Sequence, residues 1–206
     1  MIHIDMKPEP ASFEELVRKP GNAFLALHPK PTQKQWNTHS FWRNVLTEFR
    51  RLYGGICAYS CHWIAPDTGA KTVEHFIPKH EDPTKAYEWD NYRLVCSLLN
   101  SRKQTNTDTL DPFEVQDGWF VIDFPSLLVK PAAGIDPAIG VKVRQTITRL
   151  KLNDEATCLE NRAKYVMDYC LGAISFGHIK EEAPFLAKEL QRQNLVNQIQ
   201  DIMGYQ

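Results

Sequence analysis

Val73–Lys103 reads VEHFIPKHEDPTKAYEWDNYRLVCSLLNSRK, and two short runs in and beside it decide the local fold. Thr72 to Ile77 is rich in β-branched and aromatic residues and is stopped by Pro78. Tyr92 to Cys96 is a second run of the same kind, so each predicts a strand. Ser97 supplies a helix cap, and the helix it opens carries Leu98, Leu99, Asn100, Arg102 and Lys103. A strand pair followed by a helix is therefore expected. On that frame Glu74 and His75 stand side by side, Asn91 follows sixteen residues after His75, and Asn100 nine after that.

Taken singly these residues say little, because a Glu-His pair at a strand end is commonly a polar rim and asparagines are common in turns. Taken in this order, with Pro78 after the histidine and Asn-Ser-Arg-Lys closing the segment, they resemble the HNH nuclease motif in its H-N-N form. The resemblance implies an α+β protein with a ββα-metal (His-Me finger) core packed around one divalent ion. It implies His75 as general base, Asn91 as the residue holding it in position, and Glu74 with Asn100 as the protein ligands of the metal. The residue types suit the chemistry. Hydrolysing a phosphodiester needs a water deprotonated, which a neutral imidazole does, and the departing 3′ oxygen neutralised, which a hard cation does. Two oxygen ligands completed by water suit Mg²⁺, with Mn²⁺ as the alternative ion. Glu74 stands where many members carry Asp, and its extra methylene moves the carboxylate outward.

The likeness extends along the chain. The opening segment with its prolines, the Cys57–Ser60 stretch CAYS, WDNYRLVCSLLNSRK, and Thr146-Ile147 through Leu152-Asn153 with Arg162 are similar to the HNH subunit of Septu-type anti-phage systems, also found in some retron loci. That implies a partner ATPase of the ABC or SMC kind. Many HNH proteins carry two Cys-x-x-Cys pairs that hold structural zinc. Here Cys57 and Cys61 have three residues between them, and Leu99 stands where a partner for Cys96 would be. Tetrahedral zinc needs four ligands, and Cys57, Cys61 and Cys96 supply three unless His62 completes the set, so small buried thiols are the favoured expectation over structural zinc.

Composition sets the remaining limits. With 206 residues one domain is expected. Its nuclease core falls at about 55–106, with helical framing over 11–54 and 138–203. Basic and acidic residues number 24 and 25, so there is no global field to draw in a polyanion. Nucleic-acid contact must be local, and Lys79, Arg93, Arg102 and Lys103 are the candidates. The interspersed Glu81, Asp82, Glu88 and Asp90 equally suit a solvated surface. Five cysteines, no signal-like apolar start and no apolar run near ~18 residues predict a cytoplasmic protein without a membrane span.

Further readings fill in the frame. Met1–Pro10 alternates like a short edge strand. Ser12 with Glu15 reads as a capping box for a helix ending by Pro20, and Thr32 with Gln35 as another, opening a helix that runs to Tyr53 before Gly54-Gly55. Ile56–Ile64 is a strand candidate, followed by a turn over Pro66–Gly69. Trp119–Phe124 and Leu127–Lys130 read as a hairpin. Helices are expected over 138–150, 155–176 and 183–203, with a break near Gly177-His178. DNA cleavage or nicking by a defence effector is the leading expectation. A catalytically weak binding module on the same fold, and a nuclease directed at RNA such as tRNA, stand as alternatives.

Overall fold

The computed structural model describes residues 1–67 and 71–204 and is α+β, with short helices and two small antiparallel sheets. Its residues gather into two compact units, one of residues 5–55 and 64–107 and the other of residues 1–4, 56–63 and 108 onward.

The first unit contains α1 (Lys19–Leu27), α2 (Gln33–Thr38), α3 (Leu46–Leu52), β1 (Lys71–His75), β2 (Tyr92–Cys96) and α4 (Ser97–Lys103). The strands pair antiparallel with Thr72 opposite Val95 and His75 opposite Tyr92, and α4 leaves β2 with no intervening loop. Cys96 takes the capping position of α4 and Ser97 is its first residue, so the helix begins one step earlier than expected. Aromatic residues bind the helices to this sheet. Phe13 and Phe49 meet Trp89 edge-on at ring separations of 5.3 and 5.1 Å, the arrangement that ring quadrupoles favour. Gly21 in α1 lies against the face of Tyr87, where a Cβ would stand 2.2 Å from a ring carbon. The Tyr87 hydroxyl donates to the His39 carbonyl at 2.8 Å, which fixes that ring.

Several expectations need correction here. Pro20 does not end a helix: a π-helical turn over Glu14–Arg18 runs straight into α1, where proline is tolerated in the first turn. The Ser12 hydroxyl donates to Glu48 rather than capping. The Thr32–Gln35 box forms, with Thr32 N–H donating to Gln35 Oε1 at 2.8 Å, but its helix stops at Thr38. His39 turns onto Phe24, stacked at 4.0 Å, and a 3₁₀ turn over Phe41–Val45 intervenes before α3. Gly54 and Gly55 do follow with φ of 59° and 71°. The expected turn at Pro66–Gly69 lies partly outside the described residues.

The second unit holds the expected hairpin, β3 (Phe120–Asp123) against β4 (Leu128–Pro131), with α5 (Pro137–Leu150), α6 (Glu160–Cys170), α7 (Phe176–Glu182), α8 (Pro184–Arg192) and α9 (Ile199–Met203). Buried Arg162 ties it together by donating to the carbonyls of Leu127 and Leu152, both at 2.9 Å. Gly177 and His178 lie inside α7, which Ser175 caps, so the break falls earlier, after Cys170. The 183–203 helix divides at Gln193–Gln198. Ile56–Ile64 is not a strand: Ile56 and Trp63 make one isolated bridge around a turn closed by Cys61 N–H to the Cys57 carbonyl, with Cys61 at φ 55°. Met1–Pro10 forms no strand, although Ile4 N–H donates to the Pro112 carbonyl. No helix among the described residues is long and apolar enough to cross a membrane.

Candidate active site

β1 delivers Glu74 and His75 at its carboxyl end, and α4 brings Asn100 back alongside. Asn100 donates its amide to Thr72 Oγ1 at 2.9 Å, and that hydroxyl donates to the Val95 carbonyl at 2.9 Å, so the sheet itself fixes the asparagine. Its carbonyl oxygen is left to face other chemistry.

His75 is 8% exposed. Its Nε2 lies 3.0 Å from the Ala86 carbonyl, which can only accept, so Nε2 carries the hydrogen and Nδ1 is the basic nitrogen. Tyr92 donates to the same carbonyl at 2.8 Å. Burial, with Lys79 next, lowers the imidazole pKa to about 3, so the ring is neutral at ordinary pH. Trp42 stands edge-on to it at 4.7 Å.

Asn91 is placed to hold this arrangement, through the main chain and not by bonding to His75. Its Oδ1 accepts from Ile77 N–H at 2.7 Å, and its Nδ2 donates to the Ile77 and Lys85 carbonyls, both at 3.0 Å. Those bonds stitch down the β1–β2 connection, including the residue next to Ala86.

Glu74 is buried, and its Oε1 meets Lys103 Nζ at 2.6 Å; Lys103 is fully buried and also donates to the Phe76 carbonyl at 2.9 Å. Two of the four cations expected at phosphates are thus turned inward. Lys103 neutralises Glu74, and Arg93, also buried, donates to the Asp90 and Tyr92 carbonyls. Arg102 is half-buried on α4. Lys79 does reach the site: it lines two clefts shared with His75 and Asn100, one of about 90 Å³ and one of about 420 Å³. Partial burial lowers its pKa.

Glu74, His75 and Asn100 together line the smaller cleft and offer a carboxylate, an imidazole and an amide oxygen. These donors fit a hydrated hard cation completed by water and a substrate phosphate, which is the manner in which Mg²⁺ is usually held. They do not form a dedicated cage, because Lys103 already counters the single carboxylate. Elsewhere, Cys57 and Cys61 are buried in the second unit while Cys96 belongs to the first. Among the described residues no three His, Cys, Asp or Glu side chains are grouped to hold a metal.

The sequence reading passed over the Ala86 carbonyl, which has no side-chain signal, and Thr72, read only as a strand former. No family model matches the chain, and no curated protein matches it.

Proposed function

We propose that this chain is a metal-dependent endonuclease of the ββα-metal type, hydrolysing phosphodiester bonds in nucleic acid. The observation that carries the reading is the placement of His75: its tautomer is set by the Ala86 carbonyl, which leaves Nδ1 as base, and the ring shares one cleft with Lys79 and Asn100.

In the reaction His75 Nδ1 takes a proton from water as that oxygen attacks phosphorus, and the bond to the 3′ oxygen breaks. Lys79 balances the charge on the non-bridging phosphate oxygens. Asn91 keeps the connection rigid, so that His75 holds one orientation. A divalent ion, held by Asn100 and Glu74, would supply Lewis-acid stabilisation of the leaving oxygen. DNA as substrate, an ATPase partner and a role in anti-phage defence follow from the sequence resemblance.

The test is incubation of supercoiled plasmid, single-stranded DNA and tRNA with the purified chain, with and without Mg²⁺ or Mn²⁺. His75→Ala should lower cleavage by about 100-fold or more, the usual range for a general base, while leaving the fold intact. A variant that cuts as fast as the parent removes His75 from the mechanism. One observation favours a second reading, a weakly catalytic binding module: the Lys103 counter-ion leaves little charge at Glu74 to hold a cation. Binding without metal-stimulated cleavage would select it.

A further inference from the structure

We propose that the larger cleft beside His75 takes an unpaired nucleobase, so that the strand cut here is single-stranded or locally opened. This rests on the phosphodiesterase reading and names the substrate class for that site.

The two clefts differ in size and share their reactive residues. The smaller, about 90 Å³, has space for a few waters or a hydrated cation. The larger, about 420 Å³, falls within the ~300–1,000 Å³ typical of small-molecule sites. His75, Lys79 and Asn100 border both, so a phosphate at their junction has the water-sized space on one side and the nucleotide-sized space on the other. What flanks a phosphate in a polynucleotide is a nucleoside.

The walls suit a base. The half-buried Trp42 provides apolar ring surface, while Asn37, Ser40 and Arg43 provide an amide, a hydroxyl and a guanidinium for its polar edge. Unstacked bases are read by this combination of aromatic surface and edge hydrogen bonding. The site is also preformed. Trp42 is braced edge-on by His75 at 4.7 Å and by the tilted ring of Tyr87 at 5.9 Å, and Lys79 Nζ lies over its ring, 5.6 Å from the centre. A base paired inside a duplex cannot enter such a space without leaving its stack. With 24 basic against 25 acidic residues, the chain has little electrostatic affinity for duplex phosphates, and base capture supplies what the charge does not.

The full-length His75→Ala chain in Mg²⁺ allows binding to be measured without cutting. The probes are a single strand of about 16 nucleotides, as DNA and as RNA, its wholly abasic counterpart, and a duplex of the same sequence. The single strand should bind about 10-fold or more tighter than either the abasic strand or the duplex, the effect expected of one captured base. It should also quench tryptophan fluorescence, less so in both Trp42→Ala and Trp42→Phe, while affinity falls in Trp42→Ala and recovers in part in Trp42→Phe. Preference for the DNA or the RNA strand identifies the sugar, and either supports the proposal. Equal binding of the abasic strand or the duplex, or no binding at all, overturns it. Because the abasic comparison alters the ligand alone, it decides even if Trp42→Ala fails to fold. Cleavage is scored separately: single-strand binding without phosphodiester cleavage, by the parent chain alone and with a copurifying partner and ATP, sinks the nuclease reading and leaves the base site standing.

Discussion

Lys103 sits where its residue type rarely goes, fully buried with its ammonium shared between Glu74 and the Phe76 carbonyl. Removing one member of such a pair strands a buried charge. Lys103→Met should therefore lower unfolding free energy by about 3–5 kcal/mol at pH 7, and adding Glu74→Gln should restore part of it. Chemical denaturation checks this, and a loss below about 1 kcal/mol would mean that Glu74 has another source of positive charge. His62 gives a second prediction. It is buried, its Nδ1 accepts from Asn161 at 2.7 Å, and burial lowers its pKa from 6.5 to about 3. The unfolded chain protonates first, so this contribution is complete above pH 6.5 and is lost as pH falls toward 3, at up to about 1.4 kcal/mol per pH unit. His62→Gln should flatten that part of the stability profile, and an unchanged slope would show that other groups set it. The positions of His75 at the end of β1 and Asn91 immediately before β2 were legible from the strand pattern. Arg93 and Lys103 were not, since a cation in a polar stretch looks the same whether it faces water or a buried carbonyl.

Elements tell a similar story. The β1–β2 pair and α4 followed from residue pattern, and so did the hairpin of β3 and β4, because their strands are short and bounded by turn residues. The helix expected from Thr32 to Tyr53 failed because periodicity cannot see His39 leaving the helix to stack on Phe24. What α1 does for the site was equally invisible. Gly21 lets Tyr87 lie flat on the helix, and Tyr87 follows Ala86, whose carbonyl orients His75. Gly21→Ala should cost about 1–3 kcal/mol by overpacking, since the Tyr87 hydroxyl is held by His39 and the ring cannot retreat freely. If the chain cleaves as proposed, kcat should fall with KM little changed. Thermal melting and steady-state kinetics on one preparation test both, and a stable variant of normal rate would uncouple α1 from the site.

For the whole molecule, the balance of charge matters most. A chain of formal net charge −1 has no long-range attraction for a polyanion, so we expect it to cut poorly alone and to gain from a partner that holds the substrate. Co-expression with the neighbouring gene product, size exclusion, and cleavage assays with and without ATP would measure this. Efficient cutting by the lone chain, with no ATPase copurifying, would point to an autonomous nuclease.

The path of the chain adds a matter of timing. It passes between the two units after Ile4, Gly55, Trp63 and Thr107, so the unit bearing His75 has all its residues once Thr107 is made, while Ile56–Trp63 still waits for the segment from Asp108 onward. Synthesis runs from the amino terminus at about 5–20 residues per second. For several seconds on the ribosome, every residue of the site is present while the eight-residue segment between Gly55 and Ile64 has nothing of its own unit to pack on except the first four residues.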